Sequence, residues 1–274
     1  MQLILRSVLS IALLVVCGSA LAQSREEARL LLATQVLEEM GAMPDQRVPD
    51  WLLTRAHGIA VVPDVVKVGL GIGGRRGKGV LVVRNSQGHW SNPVFVTLTG
   101  GSIGWQAGVQ SSDVILMFTS AAGVEGINDG KVTLGADASV AAGPVGRQTS
   151  AATDANLSAE VYSYSRAMGL FAGVAIDGSA ITIDRKANAA FYQKPDVSAG
   201  EIMAENAPAP PPAAQRYIDM LDRSTRTASA PAADPAAPGT AEQSHPAAAP
   251  ATETGSGAQT FPMEDPNPGQ EPPG

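Results

Sequence analysis

The sequence predicts an α+β fold: a strongly curved, glycine-rich antiparallel sheet or a barrel-like sandwich, with N-terminal helices and a C-terminal helix. Short β-branched runs follow one another from Gly58 onward, and runs with helical spacing flank them. Of the 29 glycines, 18 fall between Gly58 and Gly146, and glycine within strands marks bulges, sharp bends or close backbone packing. Because the runs are closely spaced, they indicate hairpins and not parallel strands joined by crossovers.

Helices are predicted at both ends of the sheet region. Ser24 and Glu27 form a capping-box pattern, and apolar residues then recur at helical spacing until Gly41 ends the first helix. A second, short helix is predicted at Asp50–Ala56. A final helix at Arg185–Tyr192 follows the last strand and is expected to pack on the sheet.

The predicted strands are β-branched runs separated by turns rich in Gly, Pro and Asn. The first group is Gly58–Val62, Val65–Ile72, Gly79–Arg84 and Val94–Leu98. The second group is a run at Val109 followed by Asp113–Thr119, Lys131–Val140, Leu157–Ser165, Leu170–Ile176 and Ala180–Ile183. These runs and the helices place one folded domain at residues 23–205, which is long enough for a proper core.

The N-terminal end has the pattern of an export signal. A positive n-region, the uncharged apolar run Ser7–Val16 and the small-x-small pattern Ala20–Ala22 predict a signal peptide, residues 1–22, cleaved after Ala22. We therefore expect the protein in the periplasm or outside the cell. Cys17 stands where a lipoprotein cysteine would, but the branched Val16 before it favours soluble export over lipidation.

Residues 206–274 are predicted to form a disordered, acidic tail rich in proline and alanine. They hold 14 of the 20 prolines and eight acidic residues against three arginines, a composition that buries too little apolar surface to fold. Gln215–Asp222 has the spacing of a short helix, and we interpret it as a frayed turn in this tail. Because proline-rich tails are extended spacers, we expect this one to tether the domain or to reach a partner.

Charge is segregated along the chain. Its net charge is -7, yet the 48 residues from Val65 to Ser112 contain no Asp or Glu. A local positive field of this kind concentrates anionic partners. The predicted binding residues are the five cations of this run, Lys67, Arg75, Arg76, Lys78 and Arg84. The alternative is a solvated hairpin whose arginines keep a sheet edge soluble. Nucleic acid is not expected as a partner, because the domain is acidic overall.

No motif indicates catalysis, so we predict a protein that is not an enzyme and that uses no cofactor or metal. Gly69–Gly74 matches the dinucleotide fingerprint, but a second β-run follows it where a helix is required, and no acid appears before Asp113. Gly77–Gly79 lacks the Ser or Thr of a phosphate loop. His57 and His89 are interpreted as surface or capping residues, because their spacing to acids is not that of metal ligands.

Several blocks of the sequence, taken in their order along the chain, resemble those of a known family. They are Gly58–Pro63, Gly69–Arg84, Trp90–Phe95, Gly101–Gly108, Asp113–Leu116, Leu134–Asp137, Gly143–Arg147, Tyr164–Gly173 and Asn188–Tyr192. Together they resemble the SYLF domain, the lipid-binding module of yeast actin-patch regulators, an animal SH3-containing relative and plant FYVE proteins. The resemblance covers nearly all of residues 23–205.

The resemblance implies binding of phosphoinositides or other acidic phospholipids, through an amphipathic N-terminal segment and basic residues. The matching regions here are the helix predicted at Ser24–Met40 and the basic run. For an exported protein we expect phosphatidylglycerol or cardiolipin as ligands, and we do not expect actin as a partner. The sequence thus predicts non-enzymatic docking on an anionic phospholipid membrane. The alternative is a structural envelope scaffold whose proline-rich tail contacts an envelope protein or the cell wall.

Overall fold

Two very long strands form the centre of the fold. Strand β1 spans Gly58–Val83 and strand β2 spans Val94–Phe118 in the computed structural model. They pair antiparallel from Gly58↔Phe118 to Leu81↔Val94. The structure describes residues 23–43, 48–128, 130–144, 159–167, 170–174, 176–207 and 209–229, the side chains at 70–72, 102–107, 128 and 227–229 excepted.

The first four predicted strands are therefore parts of one continuous two-stranded ribbon. The turn expected at Pro63-Asp64 is a β-bulge within β1, where Asp64 has a φ of 49°. The glycine-rich stretch after Ile72 also continues β1 without a break. Proline and glycine mark bulges and bends inside strands as well as turns between them, so local composition does not separate the two cases.

The ribbon folds back on itself near its middle. Its later part packs so closely on its own beginning that only glycine fits: a Cβ on Gly79 would lie 2.1 Å from the backbone oxygen of Val61. The same Cβ would lie 2.7 Å from the Cα of Val62. The pairings Gly69↔Gly108 and Gly71↔Gly104 show that β2 has extra residues at the bend, which increases the local twist and curvature.

Five short strands extend the sheet. They are β3 Lys131–Thr133, β4 Val140–Ala142, β5 Val161–Ala167, β6 Leu170–Gly173 and β7 Ser179–Ile183. On the edge of β2 away from β1, β7 pairs with residues 96–100 and β5 pairs with residues 113–118. Strand β3 pairs with β7, whereas β4 and β6 both pair with β5. The pairing of β4 with β5 is parallel, so the sheet is mixed and differs from the all-antiparallel prediction. Parallel neighbours need a crossover of a dozen or more residues, and the chain between these strands is long enough for one.

The described residues form six helices. They are α1 at 23–41, α2 Asp50–Arg55, α3 Ala121–Asn128, α4 Arg185–Tyr192, α5 Ala199–Met203 and α6 Pro212–Ser229. Helices α1, α2 and α4 confirm the three predicted helices. Asp184 caps α4 by accepting a hydrogen bond from the backbone N–H of Ala187. None of the described helices combines the length and the apolar character that a membrane crossing requires.

Both faces of the sheet are buried, which gives two core layers that share β1 and β2. We call the first face the front: it carries Ile59 and Ile115, and α1, α2, α4 and α6 cover it. We call the second face the back: it carries Val62 and Leu116, and α3, β3 and α5 cover it. A curled α+β sheet flanked by N-terminal and C-terminal helices confirms the predicted fold class.

Helix α6 corrects the predicted start of the tail. The interpretation of residues 212–229 as flexible is wrong, because Ala214 and Tyr217 are fully buried and Leu221 is 1% exposed in the front core. The prolines of this region precede the helix or begin it at Pro212, where proline is favourable. The predicted signal peptide, residues 1–22, and the rest of the predicted tail, residues 230–274, lie outside the described residues.

Candidate functional site

The middle of the β1–β2 ribbon projects from the sheet. Strand β2 pairs with β7 as far as Gly100 and with β5 from Asp113 onward. Between Gly100 and Asp113, no described strand pairs with this edge of β2. Strand β1 remains paired with the other edge of β2 there. Side chains at 66 and 68 and at 109–111 are exposed, as is the backbone at Gly108. We call this projecting ribbon, residues 65–76 and 99–112, the arch.

The arch carries no acidic residue, and acids begin again only at its base. There Asp113 is buried, and burial raises the pKa of its carboxyl. Its carboxylate accepts hydrogen bonds from Arg166 Nε at 2.7 Å and from the backbone N–H of Asp64 at 3.0 Å. Arg166 also pairs with Glu39 of α1. Asp113 and Glu39 are therefore both engaged by Arg166, whereas Asp64 is exposed at the base; the arch itself keeps a positive charge.

Two of the five predicted cations are free on the arch. Arg76 is exposed on the front, opposite Thr99, whereas Lys67 is partly exposed on the back, opposite Gln110. Within the described part of the chain, neither side chain has an ion-pair partner. Both charges therefore remain available to an external anion.

Arg84 lies outside the arch and is used inside the protein. Its guanidinium donates hydrogen bonds to the carbonyl of Thr54 at 2.8 Å and to that of Leu53 at 3.4 Å, at the end of α2. It also lies 4.5 Å from the centre of the Trp90 ring. Burial lowers the pKa of Arg84. Arg84 therefore links the end of α2 to the end of the β1–β2 ribbon through these hydrogen bonds.

Lys78 and Arg75 are also engaged, to different degrees. Lys78 Nζ lies 2.8 Å from Asp184 Oδ2, on the residue that caps α4. Burial alone would raise the pKa of Asp184, but hydrogen bonds from Lys78 and from the Ala187 N–H hold it below its usual value. Arg75 is partly buried; burial lowers its pKa, and the charge of Asp177 acts in the opposite direction. The five cations thus do not form one cluster.

The arch also exposes aliphatic side chains that the sequence analysis did not single out. Val66 is 41% exposed, Val68 is 52% exposed and Val109 is 71% exposed. Val68 and Val109 are direct partners in the ladder, so they form one apolar patch on the front face. The alternation of Val66, Lys67 and Val68 is typical of a half-buried strand, and only the tertiary structure shows that nothing described covers its apolar side.

Helix α1 differs from the membrane-contacting segment that the resemblance implies. Its apolar side, which includes Leu30 and Leu37, is buried in the front core. Leu31 and Leu32 are exposed, but Glu27 and Glu38 lie on the same outward side of the helix. Arg25 is exposed on this side too, so the side carries both signs of charge and attracts an anionic surface less than the acid-free arch does. The arch is therefore the candidate site.

Two other sequence features, the glycine-rich run and the possible metal ligands, form no site within the described ranges. Gly69–Gly74 lies inside β1, which continues to Val83, so the run is followed by more strand and not by the helix that a dinucleotide site requires. Among the described residues, no three His, Cys, Asp or Glu side chains converge as metal ligands would.

Much of this chain is similar in sequence to known proteins. A family model described as "Ysc84: Las17-binding protein actin regulator" matches residues 99–224. Protein YSC84 of Saccharomyces cerevisiae is 37% identical over 181 residues, which is 65% of this chain and 38% of that protein. LAS seventeen-binding protein 3 of the same species is 34% identical over 206 residues, which is 74% of this chain and 44% of that protein. SH3 domain-containing YSC84-like protein 1 of Homo sapiens is 31% identical over 205 residues, 74% of this chain and 58% of that protein.

The chain therefore spans about half the length of these relatives. The family description and the name of LAS seventeen-binding protein 3 describe a binding protein or a regulator and not an enzyme. The family match runs from Thr99 in β2 to Ser224 in α6, so it includes the helix that the sequence analysis assigned to the tail. The resemblance expected from the sequence is confirmed: this chain contains a domain of the Ysc84 (SYLF) family.

Proposed function

We propose that this protein binds anionic phospholipid at a membrane surface, without enzymatic activity, and that the arch makes the contact. One observation carries the proposal: a projecting, acid-free ribbon presents both two free cations, Lys67 and Arg76, and two exposed apolar side chains, Val68 and Val109. An anionic bilayer offers phosphates to the cations and an apolar layer directly beneath them to the valines.

The expected affinity is moderate. An exposed Lys or Arg near an anionic membrane contributes about 1 kcal/mol, so Lys67 and Arg76 together contribute roughly 2 kcal/mol. Full burial of a valine side chain adds about 1.5 kcal/mol. The net charge of -7 opposes binding, but at 0.1 M salt charges more than about 10 Å from the membrane are largely screened. Binding should therefore be reversible and sensitive to salt.

The expected location favours particular ligands. In the periplasm or outside the cell, the anionic lipids within reach would be phosphatidylglycerol and cardiolipin, and actin would not be within reach. The description of the matching family mentions Las17 binding and actin regulation; the lipid contact proposed here requires neither.

The test is co-sedimentation of the full chain with neutral vesicles and with vesicles containing phosphatidylglycerol or cardiolipin, at low and high salt. We expect binding to the anionic vesicles alone and weaker binding at high salt. Lys67→Glu combined with Arg76→Glu should abolish it, because the arch then carries acids in place of its free cations.

The matched control is Arg185→Glu combined with Lys186→Glu, which changes the net charge by the same amount on exposed residues of α4. This variant should retain most of the binding. An equal loss in both variants would mean that net charge, and not the arch, governs binding. No binding by the native chain under any condition would refute the proposal, and the scaffold acting through its tail would be tested next.

A further inference from the structure

We infer that the membrane contact is made end-on by two neighbouring projections, the arch and the β5–β6 hairpin, and that Leu170 is an anchor in this hairpin; this rests on the proposed function. Leu170 begins β6 and is 62% exposed. Its ladder partner Ala167 is exposed too, as is Ala172 two residues further along the same face. The hairpin thus presents aliphatic side chains to solvent where nothing described covers them.

The β5–β6 hairpin extends beside the base of the arch. The pairing of β2 with β5 ends at Asp113↔Arg166, which is the point where the arch leaves the sheet. The next pair along β5, Ala167↔Leu170, lies beyond that point. Neighbouring strands are about 4.8 Å apart, so Leu170 lies roughly 10 Å from the β2 axis. The arch and the β5–β6 hairpin therefore reach past the same edge of the sheet.

The charge of the β5–β6 hairpin also suits an anionic bilayer. Residues 161–176 contain no Asp or Glu. Their one cation, Arg166, is held by Asp113 and Glu39 at the base. The end of this hairpin is therefore apolar and free of repelling charge, next to a ribbon whose free cations attract anionic lipid.

The faces that carry the aliphatic groups indicate the orientation. Val68 and Val109 lie on the front of the ribbon, whereas Leu170 points to the opposite side from Phe171, which belongs to the front core. Flat docking on either face would leave one of these groups in water. End-on contact places both in the membrane interface at once.

The free edge of β2 limits the depth of insertion. No described strand pairs with residues 101–112 on that edge, and unpaired backbone N–H and C=O groups are too costly in hydrocarbon. Lipid headgroups and water satisfy such groups, so the arch and the β5–β6 hairpin reach only the interfacial layer, about 5–10 Å deep.

The test compares Leu170→Ser with Leu31→Ser in the full chain. Leu31 is the matched control, because it is 52% exposed but lies on α1. In partition to phosphatidylglycerol-containing vesicles, we expect Leu170→Ser to bind about tenfold more weakly and Leu31→Ser to bind within about twofold of the native chain. Far-UV circular dichroism should show that both variants are folded.

Depth is measured with Leu170→Trp and lipids brominated at different acyl positions. We expect additional quenching, relative to the native chain, that is strongest for bromines near the headgroup. If the native chain binds and the two serine variants bind equally well, the inference fails and the proposed function stands. If the native chain does not bind, both fail. If Leu170→Ser instead lowers the apparent mass in gel filtration, a second copy covers this hairpin and the inference fails.

Discussion

Because Gly79 has no side chain, the later part of the β1–β2 ribbon can pack against the beginning of the same ribbon. The atoms that a side chain would strike there, the backbone oxygen of Val61 and the Cα of Val62, belong to the main chain and cannot rotate away. Gly79→Ala is therefore expected to lower the free energy of unfolding by about 3 kcal/mol. Gly101→Ala is the control, since nothing lies within 4 Å of its Cβ position. Urea denaturation measures the free energy of unfolding of both variants. Equal values for Gly79→Ala and Gly101→Ala would contradict the close packing described at Gly79.

At this scale the sequence identifies candidate cations but not their partners. The charge pattern marks Lys78 and Arg76 alike, because both lie in the same acid-free run. Lys78 is neutralised by Asp184, which is 106 positions away along the chain, and Arg84 reaches carbonyl groups at Thr54, 30 positions away. Such contacts depend on how the ribbon folds back, so the sequence pattern could not show which cations remain free.

Among the elements, α6 is expected to decide whether the domain is stable. It buries Ala214, Tyr217 and Leu221 in the front core. Full burial of one large apolar side chain is worth about 1.5–3 kcal/mol, so loss of the helix removes much of a typical stability of about 5–15 kcal/mol.

Two truncations test this expectation. A chain that ends at Glu205 should melt at a much lower temperature than the full chain, or without a cooperative transition. A chain that ends at Ala230 keeps α6 and should melt as the full chain does. Thermal unfolding followed by circular dichroism compares the three proteins, and a stable chain ending at Glu205 would show that α6 is dispensable.

Elements that depend on local signals were predictable, and those that depend on distant contacts were not. Helices α1 and α4 have helical spacing, and α4 also has its capping residue next to it in sequence. The continuity of β1 was hidden by Pro63 and the glycines, which resemble turns. Helix α6 follows a proline-rich stretch, and its apolar face is stabilised only by the front core.

For the molecule as a whole, the two core layers are expected to unfold together. Both rest on β1 and β2, so separating either layer exposes one face of the same strands. In a Trp105→Phe variant, which lacks the third tryptophan of the chain, Trp51 and Trp90 report on the front layer alone, whereas circular dichroism reports on all secondary structure. Urea unfolding curves from tryptophan fluorescence and from circular dichroism should therefore coincide. Separate midpoints would show that the layers are independent.

The position of α6 at the end of the domain also bears on how the protein is made. Translation passes Phe118 at the end of β2 long before it reaches Ser229, and at about 5–20 residues per second the interval is on the order of 5–20 s. During that interval the front of the sheet lacks one of its covering helices. The nascent chain thus cannot complete its native core until nearly all of the domain has left the ribosome, which keeps it open to chaperones throughout its synthesis.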